Sequence, residues 1–326
     1  MSQRVVLPQS LEGKTAIVAG AAGFVPSYLC ELYLNLGCKV IGLDNFITGS
    51  KSNIELLSKY PNFEFIEQDV SLGLPDFKGL NVDYIFSLAS PASPIDFKII
   101  PLEIMRVNSM GTWNLLELAK EKKARFLEAS TSEVYGDPEI HPQVEEYVGA
   151  VNPIGPRSPY DESKRFAEAL TMTYYRQYNV DTRIVRIFNT YGPRMRPNDG
   201  RVIPNFINQA LENKDITVYG DGSQTRSFCY VTDLVQGIHT VMQSHVHTPF
   251  NIGNPDEYSI KEAAEYIVKV LNSKSKISYF PLPEDDPKQR RPNINKIQAI
   301  SDYKPIVSFE EGLKKTAEFF RAIKNQ

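Results

Sequence analysis

Cysteine and histidine are scarce in this chain of 326 residues, with three of the first and four of the second. Cys30, Cys38 and Cys229 form no CxxC pair, which excludes a dense disulfide framework and fits a reducing cytoplasm. His141, His239, His245 and His247 are too few, and too poorly spaced with cysteines or acids, to suggest a metal site, so no metal is expected. No serine–histidine arrangement suggests a nucleophile. Charge of one sign is also missing: the net charge is -3 and the pI about 5.9, which gives no general case for nucleic acid or a membrane surface. The longest apolar region, residues 15–29, is broken by glycines and Pro26, so it reads as strand, turn and helix rather than a membrane span. The N-terminal stretch lacks the apolar core of a signal peptide, and cytoplasmic residence is expected. Repeats and low-complexity tracts are absent. What remains is ordinary for a soluble globular protein: 42% hydrophobic, 23% charged, and long enough for one large or two modest domains.

The first half alternates two periodicities. Apolar runs predict strands at 15–20, 39–44, 63–70, 82–90, 124–131 and 182–192. Helices are predicted at about 26–36, 101–122 and 160–178. Strands alternating with helices imply an α/β fold built on a doubly wound parallel sheet, whose carboxyl ends form a ligand crevice. From about residue 193, prolines at 193, 197 and 204 and glycines at 200, 220 and 222 break the chain into short elements. Two capping boxes, Ser259 with Glu262 and Ser308 with Glu311, announce helices there. The expected organisation is a dinucleotide domain over 1–192 and a smaller α/β region over 193–326, mainly for substrate, packed against the first.

The loop after the first strand, Gly20-Ala-Ala-Gly23-Phe24-Val25-Pro26, has the strand before it and the helix after it that give a glycine loop its Rossmann meaning. Backbone amides at the helix start, with the helix dipole behind them, suit a pyrophosphate. Asp44 ends the second strand, where a carboxylate accepts hydrogen bonds from a ribose diol and repels a 2′-phosphate, favouring NAD over NADP. Asp69 ends the third strand, within reach of an adenine. Pro26 replaces the usual third glycine. In a helix's first turn proline costs no hydrogen bond, so dinucleotide binding is expected to survive with a local shift. Far downstream, Tyr160 and Lys164 stand four residues apart in SPYDESKR, on one face of a helix. An ammonium beside a phenol favours the phenolate, which can take a hydroxyl proton. An alcohol deprotonated in this way can give hydride to a nicotinamide.

These features, with ASTSEVYGDP (129–138), VNPIGPRSPYDESKR (151–165), RIFNTYGPRM (186–195), DGRVIPNF (199–206), TVYGDGSQTRSFCYVTDL (217–234) and DDPKQRRPNI (285–294), resemble the extended short-chain dehydrogenase/reductases, the NAD-dependent epimerase/dehydratase family. Within it they look like the UDP-glucuronic acid decarboxylase branch. Thr131-Ser132-Glu133 does the narrowing: dehydratases of the family usually carry an Asp-Glu pair after the threonine, and many epimerases carry no acid at the Glu133 position. The resemblance implies NAD as cofactor and UDP-glucuronate as substrate, converted to UDP-xylose by oxidation at C4, loss of CO2 and re-reduction. It implies Tyr160 as the base for the C4 hydroxyl and Lys164 as the group that holds the nicotinamide ribose and tunes Tyr160. Thr131 and Ser132 would contact the sugar, Glu133 would position it and relay protons, and Arg290 would lie near C5. Gly20, Gly23, Phe24, Val25, Asp44, Asn45, Thr48, Gly49, Asp69, Val70, Leu88, Ser90, Thr190 and Arg194 fall where the family meets its cofactor. Arg106 and Asn114 match sugar-side or carboxylate-side contacts. Asn189, Tyr219, Gln224 and Arg226 match contacts to the nucleotide diphosphate. A homodimer through the helices near 101–122 and 160–178 is also implied. A sister 4-epimerase or 4,6-dehydratase stays open, as does a catalytically silent protein that binds NAD or a nucleotide sugar.

Overall fold

The computed structural model describes residues 4–282 and 288–324, so Asp285, Asp286 and Pro287 of the DDPKQRRPNI segment lie outside the described residues. In chain order the first half runs β1 (Thr15–Ala19), α1 (Phe24–Asn35), β2 (Lys39–Asp44), α2 (Lys51–Leu57), β3 (Phe63–Glu67), β4 (Tyr84–Ser87), α3 (Asp96–Ile99), α4 (Pro101–Arg106), α5 (Thr112–Lys122), β5 (Arg125–Thr131), α6 (Ser158–Tyr178) and β6 (Thr182–Ile187). The second half runs β7 (Thr190–Tyr191), α7 (Val202–Leu211), β8 (Ile216–Tyr219), β9 (Thr225–Ser227), β10 (Cys229–Tyr230), α8 (Val231–Met242), β11 (Phe250–Ile252), β12 (Glu257–Ser259), α9 (Ile260–Leu271), β13 (Ile277–Phe280), β14 (Gln289–Arg290), α10 (Asn295–Ile300) and α11 (Phe309–Lys324).

Seven strands form one parallel sheet in the order β11-β6-β5-β4-β1-β2-β3. The chain runs outward from β1 through β2 and β3, then returns to the other side of β1 as β4. This reversal opens a crevice at the strands' carboxyl ends. β1 is buried at every position, as a strand covered on both faces by helices must be. Apolar residues from both faces of the sheet fill two large cores, one reaching into the C-terminal half.

The structure redraws several expected boundaries. The 182–192 strand stops at Ile187, and Thr190–Tyr191 pairs separately with β10. The large sheet also takes β11 from the 193–326 part, so position 192 is not where the sheet ends. The 101–122 helix is continuous but holds a π-helical turn at Val107–Gly111. The capping box on α9 is complete, with Ser259 and Glu262 bonding reciprocally. At α11, the Glu311 N–H donates to Ser308 Oγ at 3.2 Å.

Candidate active site

A large cleft of about 460 Å³ runs across the carboxyl ends of the central strands. Its floor begins at the glycine loop. Gly20 holds φ +88°, and a Cβ there would stand 2.9 Å from the Leu88 carbonyl oxygen, so only glycine lets β1 turn so close to the loop after β4. The first intrahelical bond of α1 runs from the Ser27 N–H to the Gly23 carbonyl at 3.2 Å. The amides of Phe24 and Val25 precede it and remain for a ligand. Pro26 sits in the first turn, where its missing hydrogen costs nothing, and its ring packs near Gly23. Replacing Pro26 with glycine is therefore expected to leave NAD affinity and turnover within a small factor of wild type. It should lower stability by about 0.4–1 kcal/mol through unfolded-chain entropy. Calorimetric titration and thermal unfolding check this; NAD binding that appears only in the variant would mean that the proline disables the loop.

Asp44 ends β2 at the edge of this floor. Its carboxylate accepts from the Ala22 N–H (3.0 Å) and the Phe46 N–H (2.7 Å), and burial pushes its pKa up. Gly49 makes room for it: a Cβ there would lie 2.9 Å from one carboxylate oxygen. Asn45, Thr48, Asp69, Val70, Leu88, Ser90, Thr190 and Arg194 line the same cleft. Asn45 Nδ2 donates to Asp69 Oδ2 at 3.0 Å. Burial works against the charge on Asp69, but bonds from Ser71 and Asn45 and the charge of Arg106 outweigh it and lower its pKa. Two buried polar atoms on this wall, Ser90 Oγ and Arg194 Nη1, have no hydrogen-bond partner within the protein. Bare amides, a diol-accepting carboxylate and these two donors form a cradle that fits a dinucleotide.

At the other end, α6 brings Tyr160 and Lys164 into the cleft beside Thr131, Ser132 and Glu133 at the end of β5. The Tyr160 ring stacks on Phe97 with centroids 4.7 Å apart. Burial pushes the phenol well above its ordinary range, while a hydrogen bond with Thr131 pulls the other way. Lys164 Nζ, on the same face of α6, donates to Glu128 Oε1 (3.1 Å) and to the Ala129 carbonyl (2.7 Å).

Glu133 lies in a nest of arginines. Its carboxylate accepts from Arg157 Nη2 at 2.5 Å and Arg290 Nη2 at 3.1 Å. Burial alone would raise its pKa, but the charges of Arg290 and Arg157 hold it far below the usual carboxylate range. The two arginines thus hold this carboxylate as a fixed anion near the Tyr160 phenol. Arg290 is displaced from expectation. It is buried behind Glu133, donating to the Gly136 carbonyl, and faces a smaller cavity with Asp137, Asn152, Arg157 and Asp161 rather than the main cleft. Asn114 turns away altogether, donating to the Val70 carbonyl at 2.8 Å, and does not line the cleft. Arg106 does line it, but its charge acts on Asp69, at the end assigned to the adenine. Asn189, Tyr219, Gln224 and Arg226 also line the cleft.

Four residues escaped the sequence reading: Glu128, Arg157, Asp161 and Arg201. Arg157 and Arg201 line the cleft. Asp161 follows Tyr160 on α6, and burial, aided by the charge of Glu133, pushes its pKa up to about 7. Folded Asp161 thus binds its proton more tightly than the ordinary value of 3.8 allows. The stability it adds is complete below that value and is lost as pH rises through about 7. Asp161→Asn should remove this part, so wild-type stability should fall relative to the variant between those two pH values. Parallel melting curves over that window would contradict it.

The cleft and its side chains define a dinucleotide-dependent enzyme of the Tyr-x-x-x-Lys type. The chain belongs to the NAD dependent epimerase/dehydratase family, whose sequence model matches residues 16–253. Among its relatives, UDP-glucuronic acid decarboxylase 1 of Danio rerio is 49% identical over 307 residues, covering 94% of this chain and 72% of the fish protein. UDP-glucuronic acid decarboxylase 4 of Arabidopsis thaliana is 48% identical over 317 residues, covering 97% and 71%. The solved UDP-glucuronic acid 4-epimerase of Bacillus cereus, in complex with UDP-glucuronic acid and NAD, superposes with a TM-score of 0.86 at 30% identity, covering 95% of this chain and 99% of the epimerase. Among the described residues, no helix is long and apolar enough to cross a membrane, and no group of three or more His, Cys, Asp or Glu could hold a metal ion.

Proposed function

We propose that this chain is an NAD-dependent UDP-glucuronate decarboxylase that forms UDP-xylose and CO2. The observation that carries it is the likeness, over nearly the whole chain, to UDP-glucuronic acid decarboxylases, with Thr131, Ser132, Glu133 and Tyr160 gathered in one cleft. The amides of Phe24 and Val25 would hold the pyrophosphate, Asp44 the adenosine ribose, and Lys164 the nicotinamide ribose. Bound NAD supplies reversible oxidation of the C4 alcohol, so none is consumed over a cycle. Tyr160, bonded to Thr131, takes the C4 hydroxyl proton as that oxidation proceeds. With C4 a ketone, the C6 carboxylate is β to a carbonyl. It leaves as CO2, the pair of the C5–C6 bond forms an enolate that takes a proton from water at C5, and Tyr160 gives the hydroxyl proton back as the C4 ketone is reduced again. No second acid–base set is needed for this, in contrast with expelling a hydroxyl from C6. Glu133, fixed by its arginines, orients the sugar. Arg290 acts through Glu133, while Arg226, Gln224, Tyr219 and Asn189 form the wall for the diphosphate.

A panel of sugar nucleotides supplied with NAD tests the assignment. UDP-glucuronate should be turned over, and nucleotide sugars without a C6 carboxylate should not. Turnover of UDP-glucose instead would assign a sister reaction.

The working unit in this reading is a homodimer. Ile99, Leu102, Met105, Met110, Trp113 and Phe166 are all exposed on the neighbouring α3–α5 stretch and α6, a face that a second copy would cover. A monomer in sedimentation would reject it. The three buried free thiols suit a reducing compartment such as the cytoplasm.

A further inference from the structure

Glu128 stands in the middle of β5, between β4 and β6, and is wholly buried. A carboxylate at a central position of a parallel sheet needs a partner, because an unpaired charge there costs several kcal/mol. The partner is the lysine of the reaction. Lys164 and Glu128 side chains are 4% and 1% exposed, and Nζ stands 3.1 Å from Oε1. The other carboxylate oxygen faces Thr112 Oγ1 at 3.4 Å, at the start of α5. Below the same helix, Asn108 Nδ2 donates to Ser163 Oγ at 3.0 Å and Ser163 to the Tyr160 carbonyl at 3.0 Å, so α6 rests on a second polar contact.

We infer that Glu128 is a positioning residue for the reaction: its carboxylate holds Lys164 Nζ in its buried site and aims it at the cleft. An ammonium has three hydrogens. Glu128 and the Ala129 carbonyl take two of them, which leaves the third for the cleft. Without Glu128 the lysine would be a buried cation with no counter-charge, and such a lysine gives up its proton more easily. A neutral amine neither supports a phenolate on Tyr160 nor tethers a ribose with the same strength. The other charged groups near this pair are Glu133, Asp161, Arg157 and Arg201 around the Tyr160 phenol, and Glu168 with Arg186 one turn along α6. None of them replaces the contact Glu128 makes.

This inference rests on the proposed decarboxylase activity, so wild-type turnover of UDP-glucuronate is measured first; failure at that step rejects the activity, not the role of Glu128. The test compares pH profiles of kcat for wild type, Glu128→Gln and Glu128→Asp. The alkaline limb for Glu128→Gln should move down by one pH unit or more, and Glu128→Asp should restore most of it. An alkaline limb in the same place for Glu128→Gln and wild type overturns the inference. A Lys164→Met background supplies the second measurement. If Glu128 acts through Lys164, the double variant Lys164→Met/Glu128→Leu should match Lys164→Met/Glu128→Gln in kcat, and neither buries a lone charge should the single Glu128→Gln fail to fold. A difference in kcat between the two double variants also overturns the inference.

Discussion

Tyr160→Phe is expected to cut turnover of UDP-glucuronate by about 10²–10⁴-fold, the usual worth of a positioned general base. NAD binding should persist. The ring supplies packing against Phe97, which phenylalanine keeps. Only the hydroxyl disappears, and with it the hydrogen bond with Thr131 and the place for the C4 proton. The phenol is buried and held above its ordinary range, so in the free protein it is a neutral donor; the charges that arrive with substrate and cofactor must lower it. Isothermal titration with NAD beside steady-state turnover separates the two effects. Near-normal turnover in the variant would remove Tyr160 from the mechanism, and loss of NAD binding would move it from the substrate to the cofactor.

The second large effect is expected for Arg290→Met. Arg290 is almost fully buried and bonds both Glu133 and the Gly136 carbonyl. Methionine fills part of the volume but leaves that carbonyl without this donor, and Glu133 without one of the two arginines that hydrogen-bond it. Breaking a buried ion pair by removing one partner costs about 3–5 kcal/mol, and the surviving Arg157 contact argues for about 3. The Glu133 carboxylate would then swing toward Arg157, and a displacement of about 1 Å in a positioning group can cost about 10²-fold in rate. Denaturant unfolding and kcat are the measurements. A variant with wild-type stability and rate would show that Arg157 alone fixes Glu133.

The parts of this site that could be read in the sequence are those set by local chemistry. A glycine loop between strand and helix, an acid closing the next strand, Tyr160 and Lys164 one helical turn apart, and the Ser259 cap each depend on neighbours a few residues away. The parts that misled depend on distance or phase. Glu133 meets Arg290 across 157 positions, and no local pattern announces that the arginine comes from behind. The π-helical turn at Val107–Gly111 inserts an extra residue, which rotates α5 by about 100° relative to an unbroken helix. Asn114 therefore faces Val70 rather than the cleft. Arg106, just before that turn, ends beside Asp69. Glu128 was hidden because an acid inside a strand reads as an outward-facing residue; only the arrival of Lys164 on α6 explains it.

UDP-glucuronate labelled with ¹³C at C6, incubated with the purified chain and NAD, tests the central claim most directly. The account predicts that the label leaves as CO2, that the remaining nucleotide sugar has the mass of UDP-xylose, and that no NADH accumulates. Label retained in a product of unchanged mass, or in one that has lost water, would contradict it and assign the chain to an epimerase or a dehydratase.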